Sequence, residues 1–218
     1  MLKGNDLPLH TSAGNNLTMF ADNTSILVLG PSVSDLNNRL NSISTEVYLW
    51  TTFNHMSLNT KKTKSLMITS HQKFSHLPNP NLNILINGTL IDKVSHAKLL
   101  GVTVDSFLTW EQHIDNMCSQ ISSRLCLLRR IQPFLTYECT LRFYNSCIHS
   151  AFLHCSSVWS SCSLSVLLHL LRLQKRAARL ILGTEFAHTF VSLFTKLKWL
   201  SILLLINLRK LVLLFNIV

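Results

Sequence analysis

The 218-residue chain is long enough for one sizeable hydrophobic core or for two small domains. Its 20 Lys and Arg against 10 Asp and Glu give a net charge of +10; that surplus suits an anionic partner, nucleic acid before an anionic membrane, although a merely basic soluble protein carries the same balance. Six cysteines, Cys118, Cys126, Cys139, Cys147, Cys155 and Cys162, are spaced too widely for a zinc ribbon or finger, and Met1–Asn16 is too polar and broken for a signal peptide.

The cysteines are therefore expected to be reduced thiols buried on helix faces. A metal site using Cys147, His149, His154 and Cys155 is the lesser alternative. The expected location is intracellular, cytoplasmic or nuclear, and not secreted.

In chain order, Leu17–Phe20 reads as a strand entering an Ala-Asp-Asn turn, and the apolar run Ile26–Leu29 leaves it. Over Ser32–Asn54 the apolar residues Val33, Leu36, Leu40, Ile43, Val47, Trp50 and Phe53 step by three or four, which is one face of a helix, with Ser32 or Ser34 to cap it. A polar "LNTKKTK" (58–64) precedes a short strand, Ser65–Thr69. His71–Asn81, rich in Pro and Asn, is expected to be a surface loop. In "NILINGTLI" (83–91), Asn87-Gly88 joins two apolar runs and signals a hairpin. "AKLLGVTVD" (97–105) reads as one more strand.

From Trp110 the period changes. Ile114, Met117, Ile121, Leu125 and Leu128 mark a helix ending in Arg129-Arg130, where cations suit the macrodipole. Tyr137–Phe152, Leu164–Leu182 and Ser201–Ile217 are further helices. Trp199–Val218 is very apolar, but Arg209 and Lys210 interrupt it, at a cost of about 2.5–3.5 kcal/mol each in mid-bilayer. A core or interface helix is expected there, with membrane attachment the lesser alternative. The change from strands with a helix to helices alone predicts an α+β chain with a boundary near residue 108.

Six blocks follow one another along the chain: "FADN" (20–23), "NHMSLNTKKTK" (54–64), "KLLGVTVDSFLTWEQHI" (98–114), "LCLLRRIQPFL" (125–135), "SVWSSCSLSVLLHLLRLQKRAARLILG" (157–183) and "HTFVSLFTKLKWLSI" (188–202). Their succession resembles the C-terminal half of the reverse transcriptase of non-LTR, LINE-type (jockey-like) retrotransposons, from about Asp6 onward. The resemblance implies a partial polymerase palm of β-hairpins plus one helix over residues 1–108, with primer-grip-like strands. It implies an all-α thumb and post-thumb region over 109–218.

For catalysis the resemblance implies RNA-templated DNA synthesis with Mg²⁺, held by clustered carboxylates. Asp22 matches the first aspartate of the family's F/Y-A-D-D turn, and Asn23 stands where the second should be. Only 19 residues precede Phe20, so the family's upstream aspartate and fingers are expected to be missing; Asp6, in "NDLPL", matches a segment just before the hairpin and cannot replace them. Asp22 is then a vestigial metal ligand, the chain is expected to be inactive, and Mg²⁺ is not expected to bind productively.

Lys62 matches a family lysine near the incoming triphosphate, or is part of a solvated basic loop. Gly101, in "LLGV", allows close approach of a nucleic-acid strand, or marks a bend in the sheet. Lys175 and Arg179 share one helical stripe and Arg172 and Arg176 the adjoining one; they can track a phosphate backbone or simply face solvent. Trp110, Trp159 and Trp199 are expected in the core. The expectation is thus a degenerate fragment of a reverse transcriptase with RNA or DNA as partner and no small-molecule substrate. The alternative is a non-enzymatic nucleic-acid-binding or helical interaction protein that reuses the thumb. An isolated hairpin at 17–29 is also expected to make the chain prone to aggregation.

Overall fold

The computed structural model describes residues 6–12, 16–21, 23–77, 81–184 and 189–217. The chain is mixed helix and strand, α+β in general class, and divides into two compact units, Met1–Ala97 and Lys98–Val218. The division falls before residue 108 because the strand at 102–105 belongs with the helices, Val102 and Val104 lying in the helical core.

Unit 1 contains a 3₁₀ turn (Leu7–Leu9), β1 (Leu17–Phe20), β2 (Asn23–Ile26), α1 (Val33–Phe53), β3 (Lys64–Leu66), α2 (His71–Ser75), β4 (Leu85–Ile86), β5 (Thr89–Leu90) and β6 (Asp92–Val94). Its strands form separate pairs. β1 and β2 are antiparallel with Phe20 opposite Asn23, so Asn23 opens the second strand and lies outside the turn. β4 and β5 are joined by Asn87-Gly88, with φ of 47° and 72°, the left-handed values a two-residue hairpin requires. β3 and β6 run parallel; Lys64 faces Asp92 in the register, and their side chains pair at 2.6 Å.

Two expectations need correction here. His71–Ser75, within the expected loop, forms the one-turn helix α2, because Ser70 Oγ accepts the Lys73 N–H at 3.2 Å and caps it. "AKLLGVTVD" is two strands: β7 (His96–Leu99), in which the chain passes from one unit to the other, pairs with β8 (Val102–Asp105). Leu100 and Gly101, with φ of 48° and 88°, make the turn between them.

α1 is the scaffold of unit 1. Ser32 Oγ accepts the Asp35 N–H at 3.1 Å as its cap. Ile43, Val47 and Trp50 pack with Leu7 and Leu17 in one small core. Val33, Leu36 and Leu40 lie against a second, built from Met67, Leu82, Ile84, Ile86 and Ile91. Phe53, expected on the buried face, is 85 % exposed. Two asparagines one turn apart complete the helix's role. Asn37 Oδ1 accepts the Asn83 N–H, and Asn41 Oδ1 accepts the Leu85 N–H, both at 2.8 Å. Asn37 Nδ2 donates to the Asn81 carbonyl and Asn41 Nδ2 to that of Asn83. Side-chain amides on α1 thus satisfy backbone groups along one side of residues 81–85, a task otherwise left to another strand.

Unit 2 is helical: α3 (Glu111–Ile131), α4 (Tyr137–Phe143), a π-helical stretch (Tyr144–His149), α5 (Ser150–Leu153), α6 (Ser156–Trp159), α7 (Leu164–Leu182), α8 (Phe190–Leu197) and α9 (Ile202–Ile217). All five expected apolar residues of α3 are buried, and His113 joins them. The α3 start is set from the preceding loop. Asp105 accepts the backbone N–H groups of Phe107, Thr109 and Trp110 at 2.8–3.1 Å, which lets Trp110 take φ 64°. Burial alone would raise the Asp105 pKa, but these N–H donors outweigh it and hold the carboxyl below its ordinary range.

The expected helix 137–152 is interrupted by the π-helical stretch, across which Tyr144, Ile148 and Phe152 all remain buried. The cysteines are free, as thiols, but none is fully buried: Cys126 and Cys139 are exposed and the other four half-buried. Burial, followed by the charge of Asp115, pushes the Cys118 thiol up to about 11, so it is un-ionised and unreactive at neutral pH.

Candidate nucleic-acid interface

α7 carries the basic cluster. Its buried face steps through Leu167, Leu170, Leu171, Gln174, Ala177, Ala178 and Ile181. Ala177 and Ala178, with no exposed surface, let α7 pack closely in the core it shares with α3. Gly183 ends the helix in the left-handed conformation (φ 61°), and Thr184 N–H returns to the Arg179 carbonyl. Gln174, 1 % exposed, is the one polar group on the buried face. Its Nε2 donates to the Leu200 carbonyl at 2.8 Å and its Oε1 accepts the Ile202 N–H at 2.7 Å, which fixes the start of α9.

Two hydrogen bonds define how α3 and α7 run. At their N-terminal ends, Trp110 Nε1 donates to Ser161 Oγ at 2.8 Å; at their C-terminal ends, Nε2 of Gln132, the residue after α3, donates to the Leu180 carbonyl in the last turn of α7 at 2.8 Å. The helices are therefore parallel neighbours, and their C-termini lie side by side. The last turn of α3 brings Arg129 and Arg130, both exposed, to the end where α7 brings Arg176 and Arg179. Cations at this end also meet the negative ends of two helix dipoles, which offsets part of their mutual repulsion.

The four cations singled out on α7 are not equivalent. Arg172 and Arg176 are exposed, and neither forms an ion pair among the described residues. Lys175 is half-buried with its Nζ 4.2 Å above the Phe190 ring, a cation–π contact that ties α7 to α8. Arg179 is half-buried as well. The exposed cations are thus Arg172 and Arg176 on α7 and Arg129 and Arg130 at the end of α3. The α3 pair was read from sequence only as a dipole complement, since nothing local to an Arg-Arg dipeptide reveals a parallel neighbour.

Asp22 lies outside the described residues. Asn23 is exposed. Lys62 is exposed on a turn made by Asn59, whose carbonyl and Oδ1 both accept the Lys62 N–H at 3.1 Å. At Gly101, a Cβ would meet His154 Nε2 at 3.0 Å, and the same nitrogen lies 3.1 Å from the Leu100 carbonyl. The close approach that Gly101 permits is thus taken by an imidazole of this chain. Trp110 and Trp159 are buried, and Trp199 stacks on Tyr144 at 4.0 Å and 14°.

The described carboxylates of unit 1 each have a partner within that unit. Asp6 pairs with His10, Asp35 with Arg39 and Asp92 with Lys64, while Glu46 accepts from Ser12 Oγ. Among the described residues of the whole chain, no three His, Cys, Asp or Glu side chains are grouped so as to hold a metal ion. No described helix is long and apolar enough to cross a membrane. No protein-family model matches the sequence, and comparison with curated proteins and with solved structures found no match.

Proposed function

We propose that the chain is a degenerate segment of a non-LTR retrotransposon reverse transcriptase, a palm remnant followed by a thumb, which binds RNA or DNA without synthesising it. The ordered blocks from "FADN" to "HTFVSLFTKLKWLSI" support the family. The single observation that supports the binding is the parallel pairing of α3 and α7, which sets the end of α3 with exposed Arg129 and Arg130 beside the C-terminal half of α7 with exposed Arg176. Cations on two rigid helices suit phosphates of a backbone and read no bases, so binding is sequence-independent and weakened by salt. Asn23 supports the loss of synthesis, because a neutral amide replaces a charge that a divalent ion needs.

Fluorescence anisotropy with single-stranded and duplex oligonucleotides tests the binding. Arg129→Gln, Arg130→Gln and Arg176→Gln together should weaken it on every sequence alike. Equal affinity of this variant and the parent would refute the assignment. Template-dependent primer extension with Mg²⁺, abolished by Asp22→Ala, would refute the inactivity.

A second reading, a helical interaction protein, is favoured by the outer face of α9.

A further inference from the structure

α9 is turned the opposite way from an ordinary surface helix. Ile202 and Ile206 are buried in the core of unit 2. On the same side of the helix, Lys210 is half-buried with its Nζ 3.5 Å from the Ser160 carbonyl. Arg209, at the rim of that side, is close enough to His149 to help burial lower the imidazole's pKa. Lys210 therefore faces its own bundle, while Arg209, on the same side of the helix, is exposed. On the opposite side Leu204 and Leu208 are 57 and 46 % exposed, and the apolar stripe continues through Leu211 and Phe215, 63 and 83 % exposed, where the helix is exposed all round, Leu213 included at 48 %.

At 3.6 residues per turn the four residues of this stripe fall within about 60° of one another around the helix axis. Their spacing of four, three and four is that of a coiled-coil seam. With Val212 and Leu214 on its flanks, the face presents on the order of 600 Å² of apolar surface, the upper end of what a monomer's largest patch carries. Two such faces brought together would remove about 1,200 Å² from water, which reaches the range of a specific interface.

We propose that this face is a self-association surface. Two copies of the chain pair through antiparallel α9 helices, Leu208 of each against Leu211 of the other and Leu204 against Phe215. The seam is self-complementary under a two-fold axis, because its four positions exchange in pairs. It is also uncharged along its length, Arg209 and Lys210 lying on the other side of the helix, so two strongly basic chains can meet there. A bilayer fits the face less well. Asn207, exposed beside Leu204 and Leu211, would be carried into hydrocarbon by a membrane but stays wet at the flank of a helix pair.

Sedimentation equilibrium of the full chain at micromolar concentration is the test, with far-UV circular dichroism as the check on folding. The expected mass is twice the 24.8 kDa of one chain. Leu208→Glu alone, and Leu211→Lys alone, should each give a folded monomer, since both side chains are exposed. Combining the two in one chain should restore the dimer, because antiparallel pairing sets each new carboxylate against a new ammonium. A monomeric parent chain would overturn the proposal, including one captured by phosphatidylcholine–phosphatidylserine vesicles. So would a dimer or aggregate indifferent to the single substitutions, or a combined variant that stays monomeric.

Discussion

Unit 1 and unit 2 are of similar length, yet they solve the burial problem differently. In unit 1 the described strands form isolated pairs, and two cores of five buried apolar residues each lie against one helix. In unit 2 a single core of 21 buried apolar residues runs through eight elements. Charge divides the same way: unit 2 has 13 Lys and Arg against 5 Asp and Glu, unit 1 has 7 against 5. A unit with a continuous core can spend its surface on like charges, because their repulsion is small beside the apolar area it buries. The divided core of unit 1 leaves Leu27 and Leu29 exposed beyond β2, at 56 and 72 %, which keeps the expectation of aggregation at that hairpin in force.

The contrast should show most plainly in the core of unit 2. Trp159→Ala should cost about 3–5 kcal/mol, the ring being wholly buried with its Nε1 donating to the His154 carbonyl. Hydrogen exchange should accelerate through α3 and α7 and leave α1 unchanged; equal acceleration in α1 would mean that the two units unfold as one.

In unit 1 the largest loss should come from polar contacts. Asn37→Ala with Asn41→Ala removes the acceptors of the Asn83 and Leu85 N–H groups, at about 0.5–1.5 kcal/mol for each hydrogen bond, since water reaches both sites. Exchange at those two amides should rise more than at the β4–β5 turn. Unchanged protection there would show that the amide ladder contributes nothing.

A pH dependence should belong to unit 2. His113 is 6 % exposed, its Nδ1 accepts the Thr103 N–H at 3.3 Å, and its ring lies 6.1 Å from that of Trp159. Burial first, then the charge of His154, lowers its pKa below the ordinary 6.5. The unfolded chain therefore takes up this proton at higher pH than the folded one. The stabilising contribution is present above 6.5 and is lost as pH falls through the folded value. Thermal unfolding should show that loss, and His113→Phe should flatten it; an undiminished slope would assign it to another group. Smallest of the stability effects, Ser32→Ala should cost about 1 kcal/mol through the α1 cap, seen as fraying at Val33–Leu36.

Much of this was legible in the sequence where the cause is local. The three-and-four spacing of α3, the Ser32 cap and the Asn-Gly turn are each set by neighbouring residues, and each is where the sequence put it. Features made by distant residues were not legible. Nothing in "DLNNRLN" shows that two asparagines will serve the backbone of residues 81–85. Nor does "LLRRIQ" show that its glutamine will reach Leu180 and set two helices parallel. α8 was missed because an eight-residue helix carries little more than two turns of periodicity. α9 is the intermediate case: a helical wheel would have placed both cations opposite the leucine stripe, and only the core identifies which side is inward.

The contrast between the units is tested most directly through the nucleic-acid binding proposed for unit 2. The slope of log affinity against log salt should be measured for the parent chain, for Lys61→Gln with Lys62→Gln in unit 1, and for Arg129→Gln, Arg130→Gln and Arg176→Gln in unit 2. We expect a slope unchanged by the unit 1 pair and reduced by about one for each phosphate that the unit 2 arginines no longer neutralise. A slope that follows Lys61 and Lys62 instead, or an absence of binding at low salt, would contradict this assignment.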